Sequence, residues 1–263
     1  MPTAQLDDVN IYYEVKGEGK PIILSHGLAG SIEHWRPATG TLLGLGYRVI
    51  AYDQRGHGRS SDGIKDYTIP QLVADLRGLM DHLKLDRATL AGHSMGGRTV
   101  LLFALESPAR VERLILNGAG GTAPTRDVRA VFELFADLAK RQGMAAVWNH
   151  ERYQARLPRL FREDPALRES YKAAFLKARP EGYVAAIGSI VSMPDLMARL
   201  GEIRCPTLAL AGAEDPAAPF VDAVAAKVPT ATKVLIPGAG HFPQLETPDA
   251  FNAALRKFLT STS

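Results

Sequence analysis

Residues 88–105 read ATLAGHSMGGRTVLLFAL, and this stretch decides the fold of the chain. An apolar run at 88–91 leads into Gly92-His93-Ser94-Met95-Gly96-Gly97, and a helical pattern follows from Val100 to Leu105. A strand, a sharp turn and a helix in that order form the context in which a G-x-S-x-G sequence raises a serine hydroxyl above a sheet. Glycines before and after the serine let neighbouring backbone approach the turn. The motif alone is weak because Gly and Ser are common in turns, but its position between a strand and a helix strengthens it.

Short apolar runs recur along the chain on both sides of this turn. They lie at residues 11–15, 21–25, 47–52, 88–92, 111–116, 207–211 and 233–236. Runs without polar alternation are typical of parallel strands that are covered on both faces. Amphipathic helical patterns separate these runs, and two of them open with Thr68-Ile69-Pro70-Gln71 and Thr247-Pro248, with proline in the first turn. This alternation predicts a doubly wound α/β sheet.

One long segment interrupts the alternation. From Thr122 to Arg204 the sequence contains no convincing strand and is rich in Arg, Ala and Leu, with helix breaks expected at prolines 158, 165, 180 and 194. A segment of this length is too long for a simple crossover connection. We therefore predict an inserted helical cap over residues 122–204, which sits on an α/β core formed by residues 1–121 and 205–263.

Composition and charge narrow the class of protein. Of the 263 residues, 46% are hydrophobic and 22% are charged, which is typical of a globular chain and not of a disordered segment or a coiled coil. The net charge is 31 − 28 = +3, and no basic stripe is interleaved with aromatic residues. Binding to nucleic acid is therefore not expected.

The single cysteine and the first residues of the chain indicate a compartment. Cys205 excludes an intrachain disulfide and favours a reducing environment, and its place before Pro206 in an apolar run indicates a buried small side chain. The N-terminal residues lack the basic and apolar regions of a signal peptide, and no apolar run reaches the ~18 residues that a membrane helix needs. We expect a cytoplasmic protein that does not associate with a membrane.

A serine hydroxyl is a poor nucleophile without a base, and the chain has seven histidines. His241 lies in the stretch 237–242 (PGAGHF), just beyond the last apolar run. An open α/β sheet places its site at the carboxyl ends of its strands, so His241 is the candidate base. His93 is interpreted as a packing or hydrogen-bonding neighbour of the serine turn, and His57, in a glycine-rich loop, as a structural residue.

The third member of such a site is a carboxylate that orients the imidazole. Asp215 follows the apolar run at 207–211, and Glu214 beside it is the competitor. We favour Asp215 because the shorter side chain is the usual orienter at such a turn. Ser94, Asp215 and His241 then follow one another in the chain order Ser, Asp, His, as α/β-hydrolases require.

The negative charge that develops on an attacked carbonyl needs backbone donors. The N–H of Met95, at the positive end of the helix after Ser94, is one candidate. The second candidate is the N–H of Leu28, in the loop at residues 26–30 (HGLAG), where Gly27 permits the turn. The candidates for the substrate pocket are Gly27, Trp35, His93, Trp148 and Phe242.

Together these segments resemble the α/β-hydrolase superfamily over essentially the full length of the chain. The matching segments are residues 26–27 (HG), 52–61 (YDQRGHGRSS), 92–97 (GHSMGG), 212–215 (GAED) and 240–241 (GH), in that order. The resemblance implies a mostly parallel eight-stranded sheet with a helical cap that covers the site and shapes the substrate pocket. It implies a structural role for Asp53. Serine at position 94, where dehalogenases and epoxide hydrolases carry aspartate, argues against both of those activities.

Within the superfamily the chain is most similar to β-ketoadipate enol-lactone hydrolases and related small esterases. The similarity rests on residues 179–183 (RPEGY), 203–208 (IRCPTL) and 211–216 (AGAEDP). The chain departs from the enol-lactone pattern at 25–28 (SHGL) and 92–95 (GHSM), where histidine is more typical of general esterases. This departure leaves the particular lactone open.

We therefore predict a serine hydrolase that cleaves small carboxylic esters or lactones through an acyl-enzyme intermediate, with no metal or organic cofactor. The sequence does not fix the exact substrate or the oligomeric state. Hydrolysis of C–C bonds in dienol or diketone acids, cofactor-free perhydrolysis and a non-enzymatic ligand receptor on a hydrolase scaffold are the alternatives. Arginines of the predicted cap are usually solvated, but one of them is a candidate for binding a substrate carboxylate. These arginines are Arg126, Arg129, Arg152, Arg156, Arg159 and Arg162.

Overall fold

The computed structural model describes residues 2–63 and 67–261, which form a sheet of eight strands with helices on both faces. The strands are β1 (Thr3–Gln5), β2 (Asn10–Lys16), β3 (Lys20–Ser25), β4 (Tyr47–Tyr52), β5 (Ala88–His93), β6 (Val111–Asn117), β7 (Thr207–Gly212) and β8 (Ala231–Ile236). They lie in the order β1-β2-β4-β3-β5-β6-β7-β8; β3 to β8 are parallel, and β1 and β2 pair in antiparallel fashion. The predicted doubly wound, mostly parallel, eight-stranded sheet is confirmed.

Helices bury both faces of this sheet. They are α1 (Arg36–Gly44), α2 (Ile69–His82), α3 (Met95–Glu106), α4 (Arg126–Gln142), α5 (Met144–Asn149), α6 (Glu151–Arg156), α7 (Arg159–Glu163), α8 (Pro165–Leu176), α9 (Pro180–Val191), α10 (Ala218–Lys227), α11 (Pro243–Glu246) and α12 (Pro248–Thr260). Apolar side chains of α2, α3 and α10 pack on one face, and those of α1 and α12 pack on the other. Every position of β5 and β7 is consequently buried, which explains why their sequences lack polar alternation.

Prolines and caps set where several helices begin. The Thr68 hydroxyl accepts a hydrogen bond from the Gln71 N–H at 3.2 Å and caps α2, as its sequence predicts. Pro165 and Pro180 occupy the first positions of α8 and α9, where a missing N–H has no cost. The expected breaks at these two prolines are therefore helix starts.

Six helices, α4 to α9, fill the chain between β6 and β7, and residues 118–206 contain no strand. Their aromatic side chains form a cluster of their own, which also includes Ala29 and Phe242. Ala29 follows β3 and Phe242 follows β8, so this cluster packs at the carboxyl ends of the parallel strands. The boundaries between core and cap at 121/122 and 204/205 stay a prediction.

The structure also describes the cysteine, the apolar character of the helices and the clusters of possible metal ligands. Cys205 is half-buried against the core, less enclosed than predicted. Within residues 2–63 and 67–261, no helix combines the length and the apolar character needed to cross a bilayer. In the same ranges, no cluster of His, Cys, Asp and Glu side chains is arranged to hold a metal ion.

Candidate active site

Ser94 lies in the turn between β5 and α3, and its backbone is strained. Its φ of 51° and ψ of −114° fall in a region that residues with side chains rarely adopt. Such a conformation costs on the order of 1–3 kcal/mol and persists only when the surrounding structure enforces it. Here the Ser94 N–H donates to the carbonyl of Asn117 at 2.9 Å, and the Ser94 carbonyl accepts from the Arg98 N–H at 3.1 Å. The hydroxyl does not cap α3, which leaves it available to another partner.

Two glycines make this turn possible. A Cβ at Gly92 would collide with the carbonyl of Gly96, and a Cβ at Gly96 would collide with the carbonyls of Ser25 and His26 at the end of β3. Both obstacles are backbone atoms, which cannot rotate away as a flexible side chain would. The close approach of backbone that the sequence predicts at these glycines is therefore present.

The hydroxyl of Ser94 lies next to His241, and His241 lies next to Asp215. His241 Nε2 is 3.1 Å from Ser94 Oγ, and His241 Nδ1 is 2.9 and 3.0 Å from the two carboxylate oxygens of Asp215. With its proton on Nδ1, the imidazole donates to Asp215 and accepts from the serine hydroxyl. Burial lowers the pKa of His241, but the Asp215 carboxylate more than offsets this effect, and the pKa lies above its usual value. The His241 side chain keeps 31% of its exposure, so a small molecule can reach it.

Asp215 and its neighbour Glu214 face different partners. Asp215 is buried just after β7, and its carboxylate also accepts from the Ala217 N–H at 2.9 Å. Glu214 forms an exposed ion pair with Arg159 at 3.1 Å. Of the two carboxylates that the sequence leaves open, the structure brings Asp215 to the imidazole and directs Glu214 away from it.

The loop that carries His241 is fixed by a residue that the sequence analysis missed. The buried carboxylate of Glu246 accepts from the Gly240 N–H at 2.9 Å and from the Phe242 N–H at 2.8 Å, so it binds the residues on either side of His241. His93 Nε2–H donates to the carbonyl oxygen of His241 at 2.7 Å. Burial raises the pKa of Glu246, and the two N–H donors oppose this rise. An acidic residue in the short helix just after His241 is the sequence signal that could have identified it.

The loop at residues 26–30 lies directly against the serine turn. A Cβ at Gly27 would be 3.2 Å from Ser94 Cβ, so the two segments are in contact. The Gly30 N–H donates to the Gly27 carbonyl at 3.1 Å and closes a tight turn. Among the described residues, no group accepts a hydrogen bond from the N–H of Leu28 or of Met95. The two predicted oxyanion donors therefore belong to segments that meet at Ser94, and neither donor is engaged by the protein.

Two buried histidines shape this loop. His57 Nδ1–H donates to the carbonyl of Arg55 at 2.9 Å, and Nε2 accepts from the Ala29 N–H at 3.3 Å. His26 Nδ1–H donates to the carbonyl of the next residue at 2.8 Å, and Nε2 accepts from the Gln54 N–H at 3.0 Å. Burial lowers the pKa of His26 well below its usual value and that of His57 to about 4, so both rings are neutral near pH 7. His57 holds Ala29 in a left-handed conformation, with φ of 54°, directly after Leu28.

Phe242 connects the site with the aromatic cluster of α4 to α9. Its ring centroid lies 5.2 Å from that of His241, 4.9 Å from that of His93 and, on the other side, 5.0 Å from that of Tyr171. Trp148, the other aromatic pocket candidate from this cluster, lies one layer further out and contacts Tyr171 at 6.1 Å. Gly27, His93 and Phe242 are thus adjacent to Ser94 or His241, and Trp148 contacts Tyr171, the ring that packs on Phe242.

Trp35 does not lie in a pocket wall, contrary to the prediction. Its side chain is 1% exposed and packs with α1 and α12 against the sheet, where its ring lies 6.2 Å from that of Phe251. The reason is the 3₁₀ turn at Ile32–Trp35, because successive side chains in such a turn point about 120° apart. The preceding residue, His34, faces another direction, and its ring lies 5.8 Å from that of Phe242. The ring of this turn that lies against Phe242 is therefore that of His34 and not that of Trp35.

The predicted cap arginines have different surroundings. Arg159 is engaged by Glu214 in the exposed ion pair described above. Arg156 is exposed and lies close enough to His241 for its charge to disfavour the protonated imidazole. Binding of a substrate carboxylate by one of these arginines stays a prediction.

Comparisons with known proteins agree with this fold. Residues 20–248 match the family model described as alpha/beta hydrolase fold. The chain is 32% identical to "Putative carbamate hydrolase RutD" of Variovorax paradoxus (strain S110) over 96% of this chain and 97% of that protein. It is 30% identical to a 2-hydroxy-6-oxo-6-phenylhexa-2,4-dienoate hydrolase of Burkholderia cepacia, over 97% of this chain and 93% of that one. The crystal structure of the enol-lactonase from Burkholderia xenovorans LB400 superposes with a TM-score of 0.91 at 30% identity, over 99% of this chain and 100% of that chain.

Proposed function

This chain is a member of the alpha/beta hydrolase fold family, and from that premise we propose that it is a serine hydrolase of carboxylic esters or lactones. The observation that carries the proposal is the line of hydrogen bonds from Ser94 through His241 to Asp215. The serine at the start of this line lies in a strained turn. A strained non-glycine residue with a base at hydrogen-bond distance is the arrangement that nucleophilic catalysis needs.

In the first step, Ser94 Oγ attacks the carbonyl carbon of the substrate while His241 Nε2 takes the hydroxyl proton. The carbonyl oxygen becomes an oxyanion, which the N–H groups of Leu28 and Met95 are placed to bind. One such donor is typically worth about 3 kcal/mol in the transition state. The carboxylate of Asp215 keeps the proton of His241 on Nδ1 and stabilises the imidazolium that forms.

In the second step, the tetrahedral intermediate collapses and His241 gives its proton to the leaving alkoxide. An ester then releases an alcohol, whereas a lactone keeps its hydroxyl tethered to the acyl group. Water enters, His241 removes a proton from it, and the hydroxide attacks the acyl carbon. The second tetrahedral intermediate then collapses and releases the acid, while His241 returns its proton to Ser94 Oγ, which restores the free serine. Glu246 and His93 keep the His241 loop in place through both steps.

The test is hydrolysis of p-nitrophenyl esters of increasing acyl length, together with γ- and δ-lactones, by the wild type and by Ser94→Ala. We expect turnover by the wild type and its loss in Ser94→Ala, with circular dichroism to show that the variant folds. Ser192→Ala, which removes an exposed serine hydroxyl of the helical segment, is the matched control and should keep full activity. Full activity of Ser94→Ala, or a folded wild type that cleaves no ester or lactone, would refute the proposal.

A second candidate reaction is cleavage of the C–C bond next to a ketone in a dienol acid. It is favoured by the full-length similarity to the Burkholderia cepacia hydrolase, since the same nucleophile and base would act on a ketone carbonyl. Assays with such a dienoate, a phenyl carbamate and a simple ester, compared by kcat/KM, separate these reactions. A dienoate preferred over all esters would replace the first proposal by the second.

A further inference from the structure

His34 is a buried imidazole in the wall between the loop at 26–30 and the aromatic cluster. The residue is only 4% exposed, and its ring centroid lies 5.8 Å from that of Phe242 and 6.3 Å from that of Tyr171. Gly30 leaves the room for it, because a Cβ there would lie 2.7 Å from His34 Nδ1. Phe242 in turn contacts His241, so His34 stands one ring away from the base.

The ring nitrogens of His34 have no hydrogen-bond partner among the described residues. Nδ1 is fully buried and unpaired. Nε2 also lacks a partner in the described part of the chain but is not fully buried, so it is the nitrogen that a ligand can reach. His26 and His57, equally buried nearby, use both ring nitrogens on backbone groups. Buried polar groups are normally satisfied, so an unpaired imidazole one ring away from His241 is a group that a ligand can satisfy.

The charge state of His34 narrows what this ligand group can be. Burial lowers the pKa of His34 to about 4, so the imidazole is neutral near pH 7. The nearest charged side chain in the same turn, Glu33, is already paired with Arg36. A neutral imidazole offers one N–H donor and one nitrogen acceptor and has no charge with which to attract a carboxylate. It matches an uncharged oxygen, such as a hydroxyl, ether or ketone.

We propose that His34 is a specificity-determining residue that hydrogen-bonds an uncharged oxygen of the substrate other than the scissile carbonyl. The proposal rests on the proposed function, because it places this oxygen in the same pocket as Ser94. The favoured substrates are then hydroxy-, alkoxy- or oxo-substituted esters and lactones, and matched substrates with a methyl group in place of the oxygen are poor. A site built around a hydrogen bond rejects the analogue that lacks it, because the imidazole is left unpaired.

The test uses pairs of esters that differ only by a hydroxyl or ether oxygen and the methyl or methylene of equal size. Ethyl lactate against ethyl isobutyrate and ethyl 3-hydroxybutyrate against ethyl isovalerate vary the acyl side; 2-methoxyethyl acetate against butyl acetate varies the alcohol side. We expect the wild type to prefer the oxygenated member of at least one pair in kcat/KM. His34→Phe keeps the ring but removes both nitrogens and should reduce that ratio about tenfold, the effect of one hydrogen bond. His34→Gln, which can still donate and accept, should retain part of the preference.

Trp35→Phe is the matched control, since it alters an equally buried neighbouring ring that packs with α1 and α12 against the sheet. It should leave every ratio unchanged. If His34→Phe does not fold, His34→Met removes the nitrogens with an adaptable side chain of similar length. Unchanged ratios in the folded nitrogen-free variant would overturn the role of His34.

Binding of the same pairs to Ser94→Ala, measured by calorimetry with and without His34→Phe, separates this inference from the proposed function. If the wild type cleaves none of these esters and no lactone of the earlier panel, the serine hydrolase assignment fails, and the ratio of the two Kd values still decides about His34. A Kd ratio that His34→Phe reduces about tenfold supports the inference even then. A Kd ratio that it does not change refutes it.

Discussion

Replacing Glu246 with glutamine separates the electrostatic from the mechanical support of His241. The carboxylate accepts the N–H groups of Gly240 and Phe242 at 2.9 and 2.8 Å, and it is 9% exposed. Glutamine has nearly the same shape but a single acceptor oxygen, so one of the two N–H groups would face an NH₂ group. The variant thus loses one hydrogen bond to a charged group, about 1.5–3 kcal/mol. At 2–4 °C per kcal/mol for a domain of this size, Tm should fall by roughly 3–12 °C.

The same substitution should move the pH profile in a defined direction. Burial lowers the pKa of His241, the carboxylates of Asp215 and then Glu246 raise it, and the resulting pKa lies above its usual value. Removing the Glu246 charge therefore lowers the pKa of His241. Because His241 must be unprotonated to act as a base, the acidic limb of kcat/KM should shift to lower pH.

The assay is kcat/KM against pH between about 4 and 9, together with thermal unfolding, for the wild type and Glu246→Gln. Glu202→Gln, which alters an exposed carboxylate paired with Arg199, is the matched control and should leave the profile unchanged. A role limited to holding the loop would lower Tm and kcat but leave the acidic limb in place. An acidic limb that stays, or that moves to higher pH, would refute the electrostatic part of the reasoning.

Three further substitutions test other parts of the site. Asp215→Asn should reduce kcat by about four orders of magnitude, because the imidazole would adopt the wrong tautomer. Glu214→Gln should stay within a few-fold of wild type in the same assay, and equal losses in the two variants would contradict the choice of Asp215. His57→Phe removes the acceptor of the Ala29 N–H and should lower kcat roughly tenfold or more at similar KM, as expected when the neighbouring oxyanion donor, the Leu28 N–H, is displaced. A change in KM alone would exclude a role of His57 in positioning that donor. Gly92→Ala forces a Cβ into backbone and should destabilise the protein by about 1–3 kcal/mol or more in urea unfolding, and an unchanged midpoint would show that the turn relaxes freely.

The sequence predicts the fold and the position of the serine because both depend on local patterns. Apolar runs between helices with proline starts predict the parallel sheet, and glycines on either side of Ser94 predict the tight turn in which it lies. The chain order of Ser94, Asp215 and His241 follows from their places after β5, β7 and β8. Glu214 and Asp215 are adjacent and chemically alike, and the preference for the shorter side chain selects Asp215, which the structure places at His241.

Side chains that meet across the chain could not be predicted in this way. His34 and Trp35 are neighbours in sequence, but a 3₁₀ turn rotates one toward the site and the other toward α12. A shift of the turn by one residue would exchange them, and no periodicity over so short an element fixes the choice. The role of Glu246 could not be predicted for a related reason. Its partners are the backbone N–H groups of residues 240 and 242, and nearly every residue type carries such a group.

Reaction chemistry and substrate choice rest on different parts of this chain. The groups proposed to act on a carbonyl all come from turns at the carboxyl ends of strands, and backbone contacts fix those turns tightly. The rings that close over these turns come mostly from α4 to α9 and meet the core through Phe242 and His34. This layer makes few of the backbone contacts that hold Ser94 and His241, so substitutions in it can change which molecules are bound without disturbing the nucleophile and base. One protein family can therefore include relatives named for carbamates, dienoates and enol-lactones, all of which present a carbonyl carbon to a nucleophile.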